Sequence, residues 1–349
     1  MIKAVIGIIG VDIDDNYKWK DTLFLDEDVT SQDKEIYDKC KGYIKIKYNK
    51  KIEYKEARQI DENIYGNEKY IYDSKKQVKI YFEDENNCVI ETNQEVNEWL
   101  VIMLQIMLLK YDYSFIHAAV VSKNEQALLL PSWGGVGKTA CVSKLVKNGY
   151  KILGDDLNII AKNNKVYGFP KKFVLYFYHK KLFPEVFKEK APKANSAINN
   201  LYTKIIPTVK RILRFFPKIL SFARKHNPQS IKVSPIKIFG NDCIEDKSII
   251  KQIIWLERGK QENNEFANMS NEKLISKSVS VTLNEIFNEN MNAILIMCGL
   301  GIIKYDEIFI NMHKIYEKAF EGKIMNKLIV STNKPVEEVA DNVIKNIKY

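Results

Sequence analysis

The segment Pro131 to Thr139 reads Pro-Ser-Trp-Gly-Gly-Val-Gly-Lys-Thr, which is typical of a phosphate-binding loop (P-loop). Glycines let backbone N–H groups approach an anion, and a following helix adds the free N–H groups of its N-terminus. Lys138 would place a cation on the phosphates, and the Thr139 hydroxyl can be a ligand of Mg²⁺. Ser132 stands where the GxxxxGK[ST] pattern has its first glycine. The predicted cofactor-binding residues are Gly134, Gly135, Val136, Gly137, Lys138 and Thr139.

Two adjacent carboxylates, Asp155 and Asp156, follow the next apolar run, Tyr150 to Gly154. Ligands of open α/β sheets lie beyond the carboxyl ends of strands, so we expect both side chains to face the glycine-rich loop. One carboxylate can hold Mg²⁺, directly or through water, and the other can accept a proton from a hydroxyl nucleophile. The alternative is an Asp-Asp turn that only caps a strand.

A third polar group, His117, lies in the apolar run Phe115 to Val121. A lone histidine in a strand is often structural, so on residue type alone a structural role and a functional role stay equally open.

The loop needs a strand before it and a helix after it, and the sequence predicts both. Ala127–Leu130 is a predicted strand that forms a hairpin with Phe115–Val121 across a polar tetrad. The helix after the loop ends at Asn148-Gly149, a good C-cap. Glu95–Lys110 is a further predicted helix, with apolar residues at helical spacing.

The other predicted elements follow from apolar periodicity and divide the chain into three parts. Half-buried strands are predicted at Gly42–Tyr48, Tyr70–Tyr72 and Val78–Phe82. Later strands are predicted at Ile249–Leu256, Val279–Leu283 and Leu328–Val330, and a terminal helix at Val336–Lys348. The predicted fold is α/β: a small β-rich N-terminal module (1–95), a P-loop core (96–260) with a basic insertion (171–239), and an α/β extension (261–349).

The positive charge is concentrated in that insertion. Residues 171–239 contain 16 Lys and Arg and only two acids, whereas the whole chain has a net charge of +10. Within it, Thr203–Lys225 reads as a basic amphipathic helix or helix pair. It could hold an acidic acceptor peptide, lie on an anionic membrane surface or form a lid on the core, while nucleic acid is a weaker alternative.

Five scattered cysteines without a CxxC pair argue against a disulfide framework and favour the cytoplasm. The N-terminus reads as a first strand rather than a signal peptide. The apolar runs Trp99–Leu109 and Ala293–Ile303 are too short to span a bilayer and are interpreted as core elements.

Taken in order, Ile116-His117-Ala118, Pro131–Thr139 and Gly154-Asp155-Asp156 resemble the C-terminal catalytic domain of the HPr kinase/phosphorylase family. That family joins a P-loop to a core similar to phosphoenolpyruvate carboxykinase. His117 precedes Lys138 by 21 residues and Asp156 follows it by 18, as in the family pattern. The resemblance covers under a sixth of the chain. It implies that Thr139 is a ligand of Mg²⁺, that Asp156 is the general base toward an acceptor hydroxyl and that His117 is an active-site residue. Asp155 is the second predicted metal ligand.

The chain also departs from the family. The acidic residue and Arg-Gly-x-Gly that should follow the paired aspartates are missing between Leu157 and Phe239. Leu256–Gly259 is only superficially similar to that signature, and Glu185 is a weak candidate for the second metal-ligating carboxylate. These departures argue against HPr as the acceptor and against dephosphorylation. They favour a divergent branch, such as kinases that modify a peptide or small molecule in biosynthetic clusters.

The sequence therefore predicts a kinase that uses ATP and Mg²⁺ to phosphorylate a hydroxyl, with Lys138, Asp156 and His117 in the catalytic site. The acceptor is expected to be Ser or Thr of a peptide or protein, with a small molecule as an alternative. Two rival classes are an ATPase that signals by conformation and an inactive binding scaffold. The oligomeric state stays open.

Overall fold

A computed structural model describes residues 1–20, 34–169, 171–190, 230–334 and 337–348. The chain divides into two compact units, one of residues 1–171 with 243–349 and one of residues 172–242. The mixed α/β architecture expected from the sequence is confirmed. The domain boundaries at residues 95 and 260 stay predictions, and the basic segment 203–225 lies outside the described residues.

The first sheet contains eight strands within the described residues. They are β1 (Ile2–Val5), β2 (Ile9–Ile13), β3 (Gly42–Tyr48), β4 (Arg58–Asp61), β5 (Ile64–Gly66), β6 (Tyr70–Asp73), β7 (Val78–Asp84) and β8 (Asn87–Thr92). Their order across the sheet is β1-β2-β3-β8-β7-β6-β5-β4. The predicted strands at 42–48, 70–72 and 78–82 are β3, β6 and β7. In β3 the alternation is visible directly, because Ile44 and Ile46 are buried while Lys45 and Lys47 are only partly covered.

The remaining strands belong to a second sheet and to one separate pair. They are β9 (Tyr113–Lys123), β10 (Gln126–Pro131), β11 (Lys151–Gly154), β12 (Leu157–Ala161), β13 (Lys165–Gly168), β14 (Phe173–Tyr176), β15 (Ser230–Val233), β16 (Lys247–Gly259), β17 (Glu265–Asn268) and β18 (Ile324–Ser331). Among the described strands, β14 and β15 pair only with each other, and they belong to the second unit. The predicted hairpin is β9 and β10, which turn at Asn124 and Glu125 with positive φ.

The second sheet closes on itself instead of being open as the sequence suggested. β10 pairs antiparallel with β9 and parallel with β16, while β13 pairs with both β12 and β16. Since β12 also pairs with β9, these five strands form a closed circuit. β16 then continues the sheet through the parallel strand β18 to β17.

The helices in the described residues are α1 (Lys34–Asp38), α2 (Asn97–Leu109), α3 (Lys138–Lys147), α4 (Pro184–Lys190), α5 (Pro235–Phe239), α6 (Asn271–Phe287), α7 (Met291–Gly299), α8 (Tyr305–Phe320) and α9 (Glu337–Lys345). Short 3₁₀ turns lie at Phe177–Lys181, Asn241–Cys243 and Asn288–Asn290. Every residue of α2 except Glu98 is buried. This helix contacts β2, β3 and β8 of the first sheet and β9 of the second, which explains why it is apolar on all sides.

The strand predicted at Val279–Leu283 is wrong, because these residues lie inside α6. Ser278, Val279, Ser280, Val281 and Thr282 alternate small polar with β-branched residues, which mimics the two-residue period of a strand. Over the longer window, Leu274, Ile275, Val279 and Ile286 are buried at helical spacing, and packing of that face on β9 decides the structure.

Within the described residues, no helix combines the length and the apolar character needed to cross a membrane. All five cysteines are described, and none forms a disulfide.

Candidate active site

Strand β9 brings the loop and the aspartates together. On one side of it, Pro131 at the end of β10 pairs with Ala118. On the other side, Leu157 at the start of β12 pairs with His117, and the carbonyl of Asp156 accepts the N–H of Ala118 at 2.9 Å. The glycine-rich loop and the paired aspartates are therefore neighbours in the fold, one on each side of residues 117 and 118 of β9.

The loop between β10 and α3 has an anion-binding shape. Gly135 and Gly137 have φ of 75° and 114°, in the region that favours glycine, and Gly137 is the N-cap of α3. No side chain of the described residues caps the start of this helix, so its N–H groups can bind an anion. Trp133 is 48% exposed, and a Cβ added at Gly134 or Gly135 would meet no atom within 4 Å. The loop surface is open to a ligand.

The Lys138 ammonium is held at the base of the loop. Its Nζ lies 2.7 Å from Nε2 of His117, and it donates to the carbonyl and Oγ of Ser132 at 3.1 and 3.2 Å. Ser132 itself is fully buried and continues the parallel pairing of β10 with β16 through Leu256. The serine that replaces the first glycine of the pattern thus accepts two hydrogen bonds from the lysine, one on its carbonyl and one on its hydroxyl. Burial lowers the pKa of Lys138.

Thr139 and Asp155 form a pair of oxygen donors beside the loop. The Thr139 hydroxyl donates to Oδ2 of Asp155 at 2.8 Å, while Oδ1 is buried without a hydrogen-bond partner among the described residues. Burial raises the pKa of Asp155 to about 7, against the lowering effect of the Thr139 hydrogen bond. An orphaned carboxylate oxygen beside a hydroxyl is a donor set that suits Mg²⁺, whose preferred ligands are oxygens.

Asp156 faces a different set of neighbours. Its Oδ2 is hydrogen-bonded to the ammonium of Lys171, and its Oδ1 lies 3.5 Å from Nδ1 of His117. Burial is the largest single influence and by itself would raise the pKa of Asp156. The charge of Lys171, its hydrogen bond to the carboxylate and the charge of Lys138 act together against burial, and the pKa lies below its usual value. Asp156 is therefore an ionised carboxylate that can accept a hydrogen bond or a proton.

His117 connects the lysine with the carboxylates. Burial, and then the charge of Lys138, lower the pKa of His117 to about 4, so the ring is neutral at pH 7. Its Nδ1 lies 3.4 Å from Oε2 of Glu285, a residue of α6. Burial, and then the nearby Asp156, raise the pKa of Glu285.

A buried chain of hydroxyls places α6 on β9. The backbone N–H of His117 donates to Oγ1 of Thr282 at 2.9 Å, and Thr282 donates to the carbonyl of Ser278 at 2.8 Å. Oγ1 also lies 3.0 Å from the Tyr316 hydroxyl, which donates to the carbonyl of Phe115 at 2.8 Å. Since Glu285 follows Thr282 by three residues, both lie on the same face of the helix.

Replacing Thr282 with Val should lower the free energy of unfolding by about 1–3 kcal/mol, because it leaves the buried N–H of His117 without its acceptor. Urea denaturation measures the change. Ser280→Ala is the matched control, because Ser280 is exposed on the same helix and its hydroxyl donates to the carbonyl of Ser276 within that helix. Equal stability of the two variants would contradict the structural role of Thr282.

The structure brings together the predicted residues Lys138, Thr139, Asp155, Asp156 and His117. It adds Lys171 and Glu285, which sequence reasoning did not assign to the site. Glu185, the weak candidate for the second metal-ligating carboxylate, is exposed on α4 and pairs with Lys188 at 3.0 Å. In the superficially similar segment Leu256–Gly259, Glu257 accepts hydrogen bonds from Trp255 and Lys277. The catalytic and binding roles of these residues stay predictions.

No protein-family model matches the sequence, and no curated protein matches it either. Among solved structures, the chain is similar to the HPr(Ser) kinase/phosphatase from Coxiella burnetii at 12% identity. The match covers 50% of this chain and 98% of that one, with a TM-score of 0.22. A score this low indicates only a distant relationship, and it carries no argument about function.

Proposed function

We propose that this protein is an ATP-dependent phosphotransferase that moves the γ-phosphoryl group of ATP to a hydroxyl of a peptide or protein. The observation that carries the proposal is the convergence of an open glycine-rich loop, a lysine at its base and two carboxylates with different surroundings. A turn that binds nothing would need neither a lysine held at its base by Ser132 and His117 nor the orphaned oxygen of Asp155.

Each residue has a part in the transfer. The loop N–H groups and the N-terminus of α3 would bind the phosphates, and Lys138 would turn from Ser132 and His117 toward the phosphate charge. Thr139 and Asp155 would hold Mg²⁺, which supplies charge neutralisation when it is bound. Asp156 would accept the proton of the acceptor hydroxyl as the new P–O bond forms and the bond to the leaving ADP breaks.

The acceptor itself is proposed on chemical grounds alone. A serine or threonine hydroxyl is the nucleophile that an aspartate base serves in phosphoryl transfer. From the sequence we also propose that the basic segment 203–225 contacts an acidic acceptor or an anionic membrane surface. A cytoplasmic location is proposed on the same basis.

The test is an assay with γ-labelled ATP and Mg²⁺ against the peptides and proteins encoded next to this gene. The expected result is label on one acceptor with the wild-type protein and none with Lys138→Ala. Label released only as free phosphate would replace the proposal with an ATPase switch. If the protein neither consumed ATP nor bound nucleotide by calorimetry, the proposal would be replaced by an inactive binding scaffold.

A further inference from the structure

Three potential metal ligands converge on one point of the site. Nδ1 of His117, a carboxylate oxygen of Asp156 and a carboxylate oxygen of Glu285 all lie within 4.8 Å of one another. They come from β9, from the connection between β11 and β12, and from α6, three elements that are far apart in the sequence.

Nδ1 of the His117 imidazole faces the two carboxylates of this cluster but makes no hydrogen bond to either of them. His117 is only 5% exposed, and its Nδ1 is buried with no hydrogen-bond partner among the described residues. The two carboxylates lie at 3.5 Å from it (Asp156) and 3.4 Å (Glu285), outside ordinary hydrogen-bonding distance. A buried nitrogen without a hydrogen bond lowers the stability of the fold unless a bound ligand supplies the missing interaction.

The two separations from Nδ1 fit a metal ion better than a direct hydrogen bond, while the carboxylate oxygens of Asp156 and Glu285 lie within 4.8 Å of each other and would have to approach around an ion. Two ligands of a tetrahedral ion with bonds of about 2.1 Å lie about 3.4 Å apart. One nitrogen and two carboxylate oxygens suit zinc-type transition ions, whereas Mg²⁺ prefers octahedral oxygen ligands. Three protein ligands would also leave a fourth position open.

The cluster is held in place by its surroundings. Lys171 binds Oδ2 of Asp156, so that Oδ1 is the oxygen that faces His117. The hydroxyl of Thr282 fixes α6 against the backbone of His117 one turn before Glu285. Two of the three ligand residues are thus positioned by contacts outside the cluster.

We propose that His117, Asp156 and Glu285 form a binding site for a divalent transition-metal ion of the zinc type, separate from the Mg²⁺ position of Thr139 and Asp155. The site needs no nucleotide, so its metal affinity can be measured apart from the proposed kinase activity. It shares Asp156 with that activity, and an ion bound there would occupy the carboxylate that the transfer needs as a base.

Lys138 competes with metal binding at this site through its hydrogen bond to the His117 ring. An ammonium group only donates, so Nε2 of His117 accepts from Lys138 and the single proton of the neutral ring is on Nδ1. An ion on Nδ1 would move that proton to Nε2, where it faces the ammonium. Metal binding and the hydrogen bond between Lys138 and His117 therefore exclude each other, and removal of the lysine should strengthen metal binding.

The test is calorimetric titration of Zn²⁺ into the full chain without nucleotide. We expect Glu285→Gln to weaken binding by about tenfold or more and Lys138→Met to strengthen it. Glu272→Gln is the matched control, since Glu272 is an exposed acid at the start of the same helix, and it should leave the affinity unchanged. Glu285 is itself 40% exposed, so its amide variant should fold normally.

A second measurement needs no variant of the cluster carboxylates. The chain has four histidines, so ¹⁵N-histidine spectra can follow each ring, with His117→Asn to identify the relevant signals. One equivalent of Zn²⁺ should shift Nδ1 of His117. An unmoved His117 signal, or equal affinities of Glu285→Gln and Glu272→Gln, would overturn the site and assign any binding to other histidines or to cysteines.

Discussion

Replacing Asp156 with Asn should reduce phosphoryl transfer by about 10²–10⁴-fold while nucleotide affinity stays nearly unchanged. The amide has the shape of the carboxylate but accepts no proton from the acceptor hydroxyl. The loop contacts to phosphate come from other residues, Gly134 to Thr139, so binding of ATP should not depend on this side chain. Single-turnover transfer measures the first quantity, and calorimetry with ATP and Mg²⁺ measures the second.

The matched control for this variant is Asp341→Asn. Asp341 lies on α9 and pairs with Lys144 of α3. Its replacement by Asn therefore removes one negative charge near α3 without changing His117, Asp156 or Glu285. We expect its transfer rate to stay within about twofold of the wild type, as for most surface substitutions. Transfer retained in Asp156→Asn would exclude Asp156 as the base.

Lys138→Ala should abolish detectable transfer and weaken ATP binding by about 10- to 100-fold. A hydrogen bond to a charged group contributes about 1.5–3 kcal/mol, and each 1.4 kcal/mol is about a tenfold change in affinity. The effect on transfer should exceed the effect on binding, because charge on the β/γ-phosphates develops further as the leaving group departs.

Lys147→Ala provides the comparison for that lysine. Lys147 lies exposed in the last turn of the same helix, so its replacement removes the same charge at the opposite end of α3. Wild-type binding and transfer are expected for it. If Lys138→Ala bound ATP as tightly as Lys147→Ala does, the loop would not be a nucleotide site.

Much of the core of the site could be predicted from local sequence. The loop composition indicated a strand, a turn and a helix, and β10 and α3 have those positions. The apolar run before Asp155 predicted β11. The predicted hairpin of β9 and β10 brings His117 toward the start of the loop. Its position beside the Lys138 ammonium was accessible only through the family resemblance.

Glu285 and Lys171 could not be found in the same way. Glu285 follows a stretch whose alternation of Val with Ser and Thr reads as a strand, and its placement depends on Thr282 packing against β9. Lys171 opens a segment with many lysines, so nothing in the sequence distinguishes it from Lys172. Both reach the site through tertiary contacts, which single-sequence periodicity does not encode.

The closed strand circuit has a consequence for how this gene can change. Strands β13 and β16 are antiparallel neighbours, and the unit of residues 172–242 is inserted in the chain between them. In topological terms the unit is a very long hairpin connection, and the entropic cost of lengthening such a connection grows only slowly. Selection can therefore expand, trim or exchange residues 172–242 among descendants while the strand order that assembles His117, Lys138 and Asp156 is inherited intact.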